Sequence, residues 1–300
     1  MRLRVSRVVV APVIFAVCLA LTSATFAQSN ILRWNLQEGQ VFKIETTIKQ
    51  QQKIPSFGME MEITQGVFTE WVVKSVNDDK YTIGQKIKRM TMNMDSPMMQ
   101  MEIDTDDKEA GGELAQVGEM LGALIDEEIE FEMDSLGVVG DVKVPESLVE
   151  RLSGGAMMGM GGLGPEMFEQ FAKQSTLVFP KESVSETSEW KYSSTVKTMG
   201  TMKFDTTYKY LGEDKVDGVA LQKIGVTADI TMEDGEIPGV GGSIDIESSE
   251  STGNVWFDNS KGYLVKSEVN QKMDMVMDVM GMEMAVASTT KTNVKMTQVK

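Results

Sequence analysis

The chain has 300 residues, among them 25 methionines, one cysteine and no histidine, and 45 acidic against 29 basic side chains give a formal net charge of −16. Without histidine there is no Ser–His or Cys–His nucleophile pair and no imidazole metal site. A surface this acidic repels nucleic acid and anionic membrane faces, and the length suffices for one large core or two smaller ones.

At the N-terminus, Arg2, Arg4 and Arg7 precede an uncharged apolar run of 14 residues from Val8 to Leu21, and small and polar residues lead to Ala24-Thr25-Phe26-Ala27. This is the pattern of a secretory signal peptide cleaved after Ala27. The run is shorter than the roughly 20 residues that span a bilayer, which argues against a retained anchor. Val17 stands before Cys18 where lipidation requires a small residue, which argues against a lipoprotein. The sequence therefore predicts export to the periplasm, the cell envelope or the medium. Removing the three signal arginines from the 29 basic residues leaves 26 against 45 acids, a net charge of −19 on a chain without cysteine or histidine. Disulfides, thiolate zinc and iron–sulfur chemistry are excluded from such a chain. No later stretch is apolar enough to cross a membrane as a helix, so a soluble mature protein is expected.

Residues 40–52 alternate Val41, Lys43, Glu45 with Phe42, Ile44, Thr46 and Ile48, the period-2 pattern of a half-buried strand. Ile54–Gly58 is turn chemistry, and a return strand is expected over about 59–76. Asn77–Lys80 turns the chain into a third strand, and Ser96-Pro97 turns it again before MMQMEID. Short polar turns between consecutive strands predict an antiparallel meander. Two short helices are expected. One spans 109–126, with Leu114, Val117, Leu121 and Leu124 at helical spacing; the other spans 165–174, opening on Pro165 with Met167, Phe168 and Phe171 as its apolar stripe. Between them, GGAMMGMGGLG (154–164) reads as a linker or lid loop.

The two halves of the mature chain echo one another. Phe42-Lys43-Ile44 resembles Trp190-Lys191-Tyr192, and YTIGQKIKRMTM resembles VALQKIGVTADITM. The turn Asn77–Lys80 is matched to Gly212–Lys215, and IEFEMDSLGVVGDVKV to VWFDNSKGYLVKSEVN. The expected organisation is a signal peptide (1–27), an N-terminal β lobe with a short helix (28–153), a Gly/Met-rich linker with a short helix (154–176) and a C-terminal β lobe (177–300). The fold class is mainly β: two related antiparallel lobes, or one large incomplete barrel, with two short helices.

The opening Leu32-Arg33-Trp34-Asn35-Leu36-Gln37-Glu38-Gly39-Gln40-Val41-Phe42, with Leu177-Val178-Phe179-Pro180 and Trp190 further on, resembles an uncharacterised family of exported bacterial proteins common in planctomycetes. The resemblance implies an exported β-rich protein and brings no catalytic residue with it.

No phosphate-binding glycine loop occurs in a strand–helix context, and no cofactor is expected. Acid pairs such as Glu60/Glu62 and Asp245/Glu247 could serve a carboxylate-dependent hydrolase, but alternation along a strand produces such pairs on any solvated face. The run Asp104, Asp106, Asp107, Glu109 offers oxygen ligands of the kind calcium takes, without the glycine of an EF-hand loop. Methionine is the unusual feature. Met59/Met61, Met90/Met92/Met94, Met99/Met101, Met273/Met275/Met277 and Met280/Met282/Met284 each alternate with other residues, so each set forms a row on one strand face. Between Met277 and Met280 the phase slips, which requires a bulge or a turn near Val279–Gly281.

Three roles are open to these rows: flexible core filler, the lining of a plastic apolar cavity for a lipid-like ligand or a protein segment, or thioether ligation of a soft metal such as Cu(I). The reading adopted from sequence is a non-catalytic binding protein with a methionine-lined cavity or groove, analogous at the level of fold to the half-barrels of bacterial lipoprotein carriers. A hydrolase and a structural module of the envelope without a small ligand are the alternatives. No nucleic-acid partner is expected.

Overall fold

A computed structural model describes residues 30–97, 100–107, 121–153, 165–197, 200–233, 235–237, 242–279 and 281–300. The signal peptide expected over 1–27 with cleavage after Ala27, the stretch 154–164 and most of the helix expected over 109–126 lie outside them.

The first half comprises β1 (Val41–Ile54), β2 (Met59–Asn77), β3 (Lys80–Asp95), the short β4 (Gln100–Asp104), β5 (Glu128–Asp134) and β6 (Val139–Lys143). Helices α1 (Glu146–Ser153) and α2 (Pro165–Gln174) follow. The second half comprises β7 (Glu189–Lys197), β8 (Thr201–Val216), β9 (Val219–Glu233), the two-residue β10 (Glu236–Ile237), β11 (Gly242–Asp258), β12 (Tyr263–Val279) and β13 (Met282–Gln298). Among the described residues these form one antiparallel sheet of 13 strands, in the order β6-β5-β3-β2-β1-β13-β12-β11-β9-β8-β7, with β4 on β3 and β10 on β11. The two halves are thus arms of a single open sheet. Their seam is the pairing of β1 with β13, running from Phe42↔Gln298 to Lys53↔Ala287.

In both arms most chain neighbours pair as antiparallel hairpins, and the structure corrects one of the matched turns. Gly212–Lys215 lies inside β8, at a register shift between Tyr210 and Glu213. The counterpart of the β2–β3 turn is Asp217-Gly218, where Asp217 and Asp78 both take positive φ (50° and 55°). The alternation of Gly212–Lys215 is strand-like, so turn composition alone misplaced it. Of the helices, α2 falls where Pro165 placed its start, but Phe171 is exposed and the buried pair is Phe168 and Ala172, spaced i, i+4. Helix α1 was not read from sequence. Its eight residues bury Leu148 completely, too short an apolar stripe to announce a helix.

The main core fills one end of the sheet. Phe42, Trp71, Val73, Ile83 and Phe131 from one arm meet Tyr210, Ile224, Val255 and Phe257 from the other. Two irregular segments close the gap between the arms, joined by the antiparallel bridge Asn30↔Val184. Trp34, from the first, is 1% exposed and packs edge-on to Phe257 (ring centroids 5.6 Å apart) and at 6.4 Å from Trp71. Its indole N–H donates to the Leu177 carbonyl of the second segment (2.9 Å). Backbone hydrogen bonds from Trp34 to Ser135 and from Asn35 to Gly262 tie the first segment to one turn in each arm.

Those two turns are built alike. Oδ1 of Asp134 accepts the backbone N–H groups of Leu136 and Val138, and Oδ1 of Asp258 accepts those of Ser260 and Lys261. Both turns end in a glycine at positive φ, Gly137 (87°) and Gly262 (73°), against which a closing segment packs too closely for a side chain.

Candidate functional site

The register assigns every methionine row to a face. Phe42 and Ile44 are buried while Lys43 and Glu45 are exposed, so the even residues of β1 point to the inner, core-bearing face. Residues opposite one another on antiparallel strands share a face. Ile54↔Met59 and Gln52↔Met61 therefore place Met59 and Met61 inward. Ile63↔Met94, Gln65↔Met92 and Val67↔Met90 do the same on β3, and Met94↔Met101 on β4. From the seam outward, Gln52↔Ser288 and Ser288↔Met273 carry the face to β12, where Met275↔Val286 and Met277↔Met284 follow. The phase slip is a hairpin turn: Val279 pairs with Met282, and Gly281 has φ 80°. Both rows therefore point inward without a bulge. Met99 and Met280 lie outside the described residues.

These methionines are nearly all half-buried, and contact with a buried cluster divides them into two groups. Met90, Met92 and Met101 pack on a second hydrophobic cluster of Ile87, Ile103, Leu121, Leu124, Ile129, Leu148 and Phe168, so α1 and α2 cover this part of the face. Met59, Met61, Met94, Met273, Met275, Met277 and Met284 belong to neither described cluster and are half-buried, while Met282 is 60% exposed. Sequence reading missed their inner-face neighbours Met202, Phe204, Met232, Ile244 and Ile246, also half-buried and outside both clusters. They share the alternation, but single apolar residues among threonines and serines give no row to notice. The sheet thus has a solid aromatic end and, beyond it, a half-covered apolar face extending over both arms. At the rim the 3-10 turn Pro55–Phe57 lies against β13, with Phe57 58% exposed.

The acidic groups are disposed differently. Glu60, Glu62, Asp245 and Glu247 are exposed, Glu60 bonded to Lys53 (2.8 Å) and Glu62 to Gln51 (3.0 Å). In the run considered for calcium, Asp104 takes two hydrogen bonds from Arg89 (3.0 and 2.5 Å), and Asp106 lies 3.5 Å from the same guanidinium. Arg89 holds the Asp104 carboxyl below the usual carboxylate range, as Lys74 does for Glu128. Among the described residues, no three acids converge on a common point. On the inner face, burial pushes the Tyr208 phenol upward, as expected beneath Trp190, which stacks on it at 5.5 Å. No helix among the described residues is long and apolar enough to cross a membrane.

No curated protein matches the sequence. Among solved structures, one described as "Lipid-protein interactions in lipovitellin" superposes with a TM-score of 0.52 at 12% identity, over 89% of this chain and 26% of that one. The likeness is one of fold, and this chain spans about a quarter of the lipovitellin chain. An outer membrane channel from Pseudomonas putida F1 aligns over 88% of this chain and 97% of its own, at 7% identity and a TM-score of 0.26, too low to imply a shared fold. Residues 78–264 match one family along more than half of the chain: the protein belongs to the family of unknown function DUF6263.

Proposed function

We propose that this is an exported, non-catalytic binding protein whose methionine-rich inner face holds an apolar, lipid-like ligand. One observation supports this above the others: Met59, Met61, Met273, Met275, Met277 and Met284 share a face with Ile244 and Ile246 and are half-buried outside both cores. Methionine used only as filler would lie against a buried cluster, as the equally half-buried Met90, Met92 and Met101 do. A face left half-covered keeps apolar area available to a ligand, at roughly 25 cal/mol per Å² removed from water. Thioether side chains adapt to ligands of irregular shape. Hydroxyl and amide side chains between the rows, such as Gln52 and Ser288, leave a few polar contacts for a head group. The sheet's likeness to a lipid-associated protein is consistent with this reading but shows fold alone.

The test is native mass spectrometry of the protein purified from its own envelope without detergent. Adducts in the mass range of lipids or fatty acids are expected, and delipidated protein should take up a fluorescent fatty acid. A ligand-free protein that takes up no probe would overturn the reading.

A further inference from the structure

The inner face concerns an apolar ligand, but the opposite face of the same strands carries an unexplained arrangement of charge. Around the seam, the outward-pointing positions of β1, β13 and β12 include Lys49, Lys291, Lys295 and Lys266. Lys49 stands directly opposite Lys291, and Lys295 directly opposite Lys266. Like charges at directly opposed positions destabilise a sheet, and a chain with net charge −16 has ample acids to relieve them. Yet the outer neighbours of the Lys49–Lys291 pair on the flanking strands are Thr64 and Asn270. Lys49, Lys291 and Lys295 are exposed, and none of the three lies within ion-pair distance of an acid among the described residues. Two acids stand among the four lysines: Glu45, in register with Lys295, and Glu268, bonded to Lys266 at 2.8 Å. Lys266 first, and then Lys291 and Lys223, hold the Glu268 carboxyl below the usual carboxylate range. The cluster therefore keeps an excess of two positive charges, four lysines less two glutamates. Further out, Glu70 faces Lys43 and Glu250 faces Lys272, so the excess positive charge lies at the seam.

We propose that this lysine cluster at the β1–β13 seam docks the protein on an anionic lipid surface. Thr47, Thr64, Asn270 and Asn293 around it are shorter than lysine, so the ammonium groups of Lys49, Lys291 and Lys295 stand out from the sheet, while that of Lys266 lies over the Trp256 ring at 4.7 Å. The partner must then bring its own extended surface. The cations of the cluster are all lysines, whose point charge suits diffuse attraction to head groups rather than the bidentate recognition arginine gives. At physiological salt the screening length is about 8 Å, so a surface facing the seam senses the four lysines and two glutamates there far more than acids at the strand ends. The net charge that repels anionic membranes as a whole therefore does not forbid docking through this face. The docking does not depend on the inner face holding a ligand.

The test is co-sedimentation with vesicles of phosphatidylcholine alone and of phosphatidylcholine with about a third phosphatidylglycerol. Binding is expected only to the anionic vesicles, weakening as salt rises. The triple variant K49Q/K291Q/K295Q is expected to bind them at least about tenfold more weakly while remaining as resistant to unfolding as the parent, since it removes a like-charge pair. A control carrying Gln at Met273, Met275 and Met277 is expected to dock normally, so failure of docking and failure of apolar ligand binding are read separately. Equal binding to both vesicle types, or undiminished binding by the lysine variant, would overturn the proposal. So would binding to a soluble sulfated polysaccharide without any to vesicles, or salt-sensitive self-association through the lysines in place of vesicle binding.

Discussion

Replacing Gly137 with alanine tests how the two arms are locked together. Gly137 sits at φ 87°, where an L side chain costs about 1–2 kcal/mol. An added methyl would collide with the Leu177 carbonyl oxygen and stand 2.7 Å from Nε1 of Trp34, the two groups joined by the 2.9 Å hydrogen bond between the closing segments. Relieving the collision means moving a buried carbonyl and a buried indole of the core. A lost buried hydrogen bond costs about 1–3 kcal/mol, and overpacking about 1–3 kcal/mol more. The total is about 3–8 kcal/mol, comparable to the whole stability of many domains. Gly281→Ala is the matched control, because Gly281 has φ 80° but nothing within 4 Å of an added methyl. It bears the backbone cost of about 1–2 kcal/mol alone. Thermal unfolding followed by tryptophan fluorescence compares them, at roughly 2–4 °C per kcal/mol for a chain of this size. Equal shifts for the two variants would refute the argument that the closing segments, rather than local turn geometry, fix the Asp134–Gly137 loop.

The methionines should separate by role. Met92→Gln, in a packed cluster, is expected to cost about 1–2 kcal/mol in urea denaturation, whereas Met275→Gln should change stability by less than about 0.5 kcal/mol and weaken uptake of a fluorescent fatty acid. The Tyr81 hydroxyl donates to the buried Trp34 carbonyl at 2.8 Å, so Tyr81→Phe is expected to lower stability by about 1–2 kcal/mol, measured the same way. Asp104 and Glu128 have folded pKa values below their unfolded ones, owing first to Arg89 and Lys74 respectively. Their contribution to stability is therefore complete above the ordinary carboxylate range near about 4 and is lost as pH falls through the lower folded values. Denaturation midpoints between about pH 5 and pH 2 should accordingly fall less steeply for Arg89→Gln than for the parent chain.

The sequence by itself determined strand identity and facing. Period-2 alternation is a local property, so Phe42 against Lys43, or Met273 against Asp274, already says which residues lie together on a face. It also determined the start of α2, because Pro165 fixes a backbone angle that suits a first helical turn. Tertiary structure alone decided the rest. Nothing in the alternation of β1 says that its partner is β13, more than 200 residues away; that pairing turns two arms into one open sheet. Local composition could not distinguish Gly212–Lys215 from Asp217-Gly218 as a turn, because the choice depends on the register that β9 imposes on β8. Nor could a methionine row reveal whether it is covered. Met92 and Met275 alternate identically along their strands, yet only the first lies in a cluster with residues of α1 and α2. Periodicity fixes the direction in which a side chain points, and packing between distant segments decides what it meets there.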